Sequence, residues 1–203
     1  MELRQTIIAR WYYGLMRGSV IKWLGGRVSS DQMTCLGLLL AAGVPFGFAL
    51  TPLAGFLLLA LSGVADSLDG QLAKLQGGDG RFGAFLDSTV DRLSDGFYLT
   101  GFWVLCLPRA ESLVWPSLAV FAALVLTTLI SYTKARIEGL GGSCAVGFMD
   151  RAVRTIALLI WALVLIVLPE QTMPVFWIGI SLYLILVGYT VFQRIRAAWL
   201  IFA

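Results

Sequence analysis

Six long apolar stretches leave this chain few folds to adopt. They run over 33–50, 53–76, 83–107, 113–137, 152–168 and 174–197 of a 203-residue sequence. A helix needs about 20 mostly apolar residues to cross the hydrocarbon core of a bilayer, and each stretch is close to that length. Helix-breaking punctuation separates them: Thr51-Pro52, the run Gly77-Gly78-Asp79-Gly80, Pro108, Gly141-Gly142, and the interval from Pro169 to Pro174. Apolar residues make up 59% of the chain and charged residues 13%, against roughly 45–50% and 25% in soluble domains. A water-soluble domain of this size has no interior large enough to hide that surface. The expectation is an all-α polytopic membrane protein. It would be a single domain over 1–203, with a six-helix bundle at 33–197 behind an interfacial segment at 1–30. In that segment Arg4, Arg10 and Arg17 stand among Ile7, Ile8, Trp11, Tyr12 and Leu15. This is the amphipathic pattern of a helix lying in the membrane surface, not of a cleaved signal.

Lysine and arginine orient the spans, because cytoplasmic loops carry their excess. With the N-terminus in the cytoplasm, all but Arg109 of the 15 basic residues fall on or nearest the cytoplasmic side. Both termini are then cytoplasmic, and a missed or extra span would destroy the asymmetry.

The chain contains no histidine. Ser-His-Asp and Cys-His catalysis and the commonest zinc sites are therefore excluded. Cys35, Cys106 and Cys144 lie far apart without paired spacing and read as small apolar fillers. Carboxylates are the chemistry that remains. Half of the 12 acidic residues fall between positions 66 and 95, and Asp66, Asp69, Asp87 and Asp91 lie in otherwise apolar helix sequence. Each costs at least about 2.5–3.5 kcal/mol at membrane depth, so something must neutralise them. Asp66 and Asp69 share a helix face that Gly70 and Ala73 continue with almost no side chain. On the next helix Gly83, Asp87 and Asp91 repeat every four residues, again on one face. A short Gly-rich loop joins the two helices, which predicts antiparallel neighbours whose acidic faces meet near their cytoplasmic ends.

Four carboxylates without histidine or paired cysteine make an all-oxygen site for a hard cation, Mg²⁺ or Mn²⁺, one ion or two. The small residues Gly70, Ala73 and Gly83 leave room for a ligand to approach the backbone, although small residues in membrane helices also serve close packing. On the residues alone, a proton or cation relay competes with a catalytic metal site. Against a relay, the carboxylates sit on two helices near one side, and spans five and six are apolar from Leu158 to Leu168 and from Val175 to Val187. A lipid-binding subunit without catalysis would not need four carboxylates.

Read contiguously, Asp66-Ser-Leu-Asp69-Gly70-Gln-Leu-Ala73-Lys74, then Gly83-Ala-Phe-Leu-Asp87-Ser-Thr-Val-Asp91, resembles the signature of the CDP-alcohol phosphatidyltransferases, D-x2-D-G-x2-A-R-x8-G-x3-D-x3-D. Every fixed position matches except Lys74, where the family has arginine. Charge is kept, but a planar fork becomes a point charge. The resemblance implies transfer of a phosphatidyl group from CDP-diacylglycerol to a water-soluble alcohol, with release of CMP, in a membrane homodimer that binds no nucleic acid. It implies Asp66, Asp69 and Asp87 as metal ligands with Asp91 beside them, and Asp91 as general base. Gly70, Ala73 and Gly83 would line the nucleotide pocket and Lys74 would meet a phosphate. Asp31 and Thr34, at the start of the first span, resemble the family's Asn/Asp-x2-Thr entry to that pocket; Asp31 equally suits a helix N-cap.

The acceptor is suggested by a second cluster. Ser131-Tyr-Thr-Lys134-Ala-Arg136-Ile-Glu138 is followed, after a Gly-containing loop, by Gly147-x3-Arg151-x2-Arg154. The pattern resembles that of phosphatidylinositol-phosphate synthases within the family. The resemblance implies inositol phosphate as acceptor, its phosphate held at Ser131, Lys134, Arg136, Arg154 and Arg194. Glycerol 3-phosphate, the acceptor of phosphatidylglycerophosphate synthases, is the alternative. As free cations the same residues would also suit positive-inside anchoring at lipid headgroups.

Overall fold

The computed structural model describes residues 26–78 and 80–203. The amphipathic segment expected before the first span falls almost wholly outside them. The regular structure of the described residues is all helical: α1 (Ser30–Leu50), α2 (Pro52–Leu75), α3 (Arg81–Cys106), α4 (Val114–Gly139), α5 (Arg151–Val167) and α6 (Thr172–Phe202), with a 3-10 turn at Pro169–Gln171 before α6.

Local sequence explains the boundaries. Ser29, not Asp31, caps α1. Its hydroxyl accepts from Gln32 N at 3.2 Å while Gln32 Oε1 accepts from Ser29 N at 3.0 Å. This reciprocal box satisfies two orphan donors at once and leaves exposed Asp31 in the first turn, where its charge faces the positive end of the helix. Thr51 both ends α1 and starts α2. Its N–H donates to Gly47 O at 2.9 Å, and its hydroxyl accepts from Ala54 N at 3.1 Å. Pro52 then occupies the first helical position, where a missing N–H is harmless. At the other end of the hairpin Gln76 reaches back, donating to Val28 O at 2.9 Å and accepting from Ser30 N at 3.2 Å.

α1 is the central wedge. It packs along both α2 and α3, while α2 and α3 barely touch each other. The sequence expectation of α2 and α3 as packed antiparallel neighbours is corrected here. Glycines allow α1 to intervene: a Cβ on Gly55 would lie 2.4 Å from the Phe48 ring, and one on Gly101 2.7 Å from it. The acidic faces of α2 and α3 still meet, but across a gap beside α1. α4 packs on α6, and α5 packs on α2 and more lightly on α6.

The hydrophobic centre is an aromatic run, Phe48, Phe102, Trp161 and Phe176, with successive ring centroids 4.9, 4.1 and 5.8 Å apart. Outward faces are apolar as well: Phe46 and Leu50 are 74% and 79% exposed, with Leu39, Ile178 and Ile185 similarly bare. Apolar surface on that scale needs lipid, not water, as its solvent, and the chain is an integral membrane protein. Among the described residues, four helices are long and apolar enough to cross a bilayer: α1, α2, α4 and the segment Pro169–Phe202 containing α6. Of the six spans expected, the described residues supply six α-helices, four of which have the length and composition of a span. α3 is long enough, but Asp91, Arg92 and Asp95 sit near its middle. α5 has 17 residues.

Candidate active site at the carboxylate cluster

Three carboxylates come together where α2 and α3 face each other across the gap. One oxygen each of Asp66, Asp69 and Asp87 lies within 4.8 Å of the others. Oxygens sharing a small divalent ion sit about 3–4 Å apart, given bonds of about 2.1 Å, so a slight closure would seat one. The donor set fits the chemistry: hard oxygens only, on two helices held by a third. Asp69 is 5% exposed, and its Oδ2 accepts from the Thr34 hydroxyl of α1 at 2.8 Å. Below, the Ser62 hydroxyl donates to Gly37 O at 2.7 Å, and the Tyr98 hydroxyl stands 2.7 Å from the Ser62 hydroxyl. These bonds join α1, α2 and α3 into a polar floor.

Asp91 stands outside the trio. Its carboxylate is paired with Arg151, whose guanidinium also pairs with Asp66. Arg151 therefore bridges α2, α3 and α5, and supplies part of the neutralisation that the cluster requires. One turn further along, Arg154 pairs with Asp95 at 2.7 Å, both side chains about 5% exposed or less. Sequence spacing alone assigns neither Asp95 nor Arg151 a place among the carboxylates. The signal was present: Asp95 continues the four-residue stripe of Asp87 and Asp91, and Arg151 and Arg154 are three apart on one helix face.

The other expected site residues divide. Gly70 is exposed beside Asp69, and a Cβ there would meet nothing within 4 Å, so open space adjoins the carboxylates. Ala73 is buried and Lys74 exposed one turn beyond, and Gly83 is half-buried on the facing helix. Thr34 points to Asp69, whereas Asp31 is out in solvent. At the end of α4, Ser131 is half-buried and Lys134 and Arg136 are exposed; Lys134 Nζ lies 3.9 Å from the Glu138 carboxylate. Arg154 and Arg194 are 3% and 6% exposed, so they are not open cations at the surface. Arg154 also donates to Met149 O at 3.1 Å. Arg194 donates to Val146 O at 3.1 Å and to Ile130 O. With Gln193 and Thr190 accepting from Phe148 N and Met149 N at 3.1 Å each, it anchors the loop between α4 and α5 to α6.

The CDP-alcohol phosphatidyltransferase family model matches residues 28–192. The chain belongs to this family. Membership decides between phosphotransfer and a cation relay in favour of phosphotransfer, and makes the chain a phosphatidyltransferase by family. An archaetidylinositol phosphate synthase of Methanothermobacter thermautotrophicus is 37% identical over 172 residues, covering 84% of this chain and 83% of the relative. A phosphatidylinositol phosphate synthase of Mycobacterium tuberculosis is 34% identical over 178 residues, covering 85% and 80%. A crystal structure of phosphatidylinositol phosphate synthase from Mycobacterium tuberculosis in complex with manganese and citrate is similar, with a TM-score of 0.75 at 29% identity, covering 89% of this chain and 87% of that one. A second, with CDP-DAG bound, has a TM-score of 0.72 at 29% identity, covering 89% and 92%.

Proposed function

We propose that this phosphatidyltransferase moves the phosphatidyl group of CDP-diacylglycerol onto the hydroxyl of inositol phosphate, releasing CMP. The observation that carries the proposal is the division of the signature carboxylates. Asp66, Asp69 and Asp87 converge within 4.8 Å, while Asp91 lies outside the three and is joined to Asp66 through Arg151. The relatives named for inositol phosphate transfer, and the neighbour solved with CDP-DAG, support the choice of both substrates.

Asp66, Asp69 and Asp87 would hold Mg²⁺ or Mn²⁺, which neutralises charge developing on the diphosphate oxygens. Asp91 takes the proton of the acceptor hydroxyl. The hydroxyl oxygen bonds to the phosphatidyl phosphorus, the bond from that phosphorus to the CMP oxygen breaks, and the electron pair leaves with CMP. Arg151 engages Oδ1 of Asp91, so the proton falls to Oδ2. Gly70, with open space over it, together with Ala73 and Gly83, admits the nucleotide against the backbone, and Lys74 offers an ammonium to its phosphates. Thr34 serves the site through Asp69. For the acceptor phosphate, Ser131, Lys134 and Arg136 are the reachable groups, while Arg154 and Arg194 set the frame around them. We place all six helices across the membrane with both termini and the site on the cytoplasmic side, in a homodimer and a single domain.

The test is CMP release by purified protein with CDP-diacylglycerol and Mn²⁺ or Mg²⁺, comparing inositol phosphate, glycerol 3-phosphate, inositol and serine. Turnover with inositol phosphate above the others supports the proposal. Turnover only with glycerol 3-phosphate moves the acceptor assignment, and no CMP with any acceptor overturns the reaction.

A further inference from the structure

Resting on the phosphotransfer proposed above, we propose that Asp95 is a positioning residue: through Arg154 it sets the register of α5 on α3 and so places Arg151 between Asp66 and Asp91. Three side-chain contacts join these helices in order, Asp91 with Arg151, Asp95 with Arg154, and Phe102 with Trp161. The order rises along both chains, so α3 and α5 run parallel, and their backbones otherwise stay apart. Long side chains, not close helix packing, hold them in register.

The Asp95–Arg154 rung is the one buried deepest beside the site. Burying such a pair gives little net stability, because desolvation of both ions offsets their attraction, and an apolar pair of similar volume often does as well or better. Here the pair is not even saturated, since Asp95 Oδ1 and Arg154 Nε have no hydrogen-bond partner among the described residues. What an ion pair supplies and an apolar pair does not is a unique register. A one-turn slip of α5 along α3 would bring Arg154 opposite Asp91 or Arg151 opposite Asp95, and in either case one member of the buried rung would lose its partner. Arg154 also donates to Met149 O, and the Asp150 carboxylate caps α5 by accepting from Val153 N at 2.9 Å, so the start of α5 moves with this rung. Arg151 lies in the same turn. Its guanidinium can bridge Asp66 and Asp91 only while that turn is held at its present height.

The experiment is a double-mutant cycle. Wild type, Asp95→Asn, Arg151→Lys and the double variant are purified in detergent. CMP release is followed with CDP-diacylglycerol, Mn²⁺ and the acceptor that the wild type turns over, beside thermal denaturation of each. Asp95→Asn is expected to lower kcat about ten- to hundredfold, as for a reacting group displaced by an ångström. The KM for CDP-diacylglycerol should stay within about twofold, because in the uniform-binding reading KM reports ground-state contacts that Asp95 does not make. In the Arg151→Lys background the same change is expected to cost less than about threefold, since residues acting through one another are not additive. Asp95→Glu should recover part of kcat. Full kcat in Asp95→Asn, or losses that simply multiply, would overturn the proposal, as would a lowered melting temperature with kcat intact. If Asp95→Asn does not fold, Arg154→Lys, which keeps the charge and loses the fork, replaces it in the same cycle. Silence of the wild type with every acceptor would instead be failure of the phosphotransfer reading, and this proposal would fall with it.

Discussion

Thr34 of α1 and Asp69 of α2 are joined by a 2.8 Å hydrogen bond in which the hydroxyl donates to Oδ2. Both residues are buried. The bond fixes the Asp69 carboxylate against α1. Partners of this kind orient a metal ligand from outside, and losing one typically lowers metal affinity or activity about 10- to 100-fold. Thr34→Val keeps the shape and removes the donor. We expect the Mn²⁺ concentration for half-maximal CMP release to rise about tenfold, with Thr34→Ser close to wild type. A metal titration of the three proteins checks this.

Asp87 and Asp91 are one turn apart, and different roles are proposed for them above. Asp87→Asn removes one of the three converging carboxylates, and Mn²⁺ binding, followed by electron paramagnetic resonance, should weaken by at least about tenfold. Asp91→Asn removes the group facing Arg151. Its Mn²⁺ binding should stay within about threefold of wild type, while kcat falls by about 10²–10⁴, the usual worth of a general base. Equal loss of metal by both variants would contradict the division.

Lys74 is exposed on the last turn of α2, free of tight packing that a longer side chain would disturb. Lys74→Arg restores the family's planar fork. The KM for CDP-diacylglycerol should fall by about two- to fivefold, with kcat little changed, because a bidentate contact adds to a single one. Steady-state kinetics in mixed micelles would measure it.

Gly179 of α6 faces Trp161 of α5 so closely that a Cβ would lie 2.2 Å from the indole. Trp161 is already stacked on Phe102 and has nowhere to retreat. Gly179→Ala should destabilise the bundle by about 1–3 kcal/mol through overpacking, read as a lowered melting temperature in detergent. The metal affinity of protein that remains folded should not change.

Arg194 ties the α4–α5 loop at Val146 O to α4 at Ile130 O. Arg194→Met should free residues 140–150 to proteolysis, with cleavage there at least about tenfold faster than in wild type, because local opening loses its charge-assisted bonds. Unchanged cleavage would show that Gln193 and Thr190 suffice.

Much of this protein was legible in the chain. Helix number and class follow from apolar length and breaker positions, which are local properties. The identity of the carboxylate cluster follows too, because Asp66, Asp69, Asp87 and Asp91 obey helical periodicity, and a charge in an apolar helix must have a reason. The contents of the gap were not legible. That α1 separates α2 from α3 depends on Phe48 seating against both Gly55 and the sequence-distant Gly101, and periodicity carries no information about which faces meet. Likewise, that Arg151 pairs with Asp66 and Asp91, and that Arg154 and Arg194 turn inward to Asp95 and to backbone carbonyls, depends on the register of α5 and α6. Sequence spacing shows that such cations exist and which helix end they occupy. Their partners are chosen by distance between helices, which only the packed bundle sets.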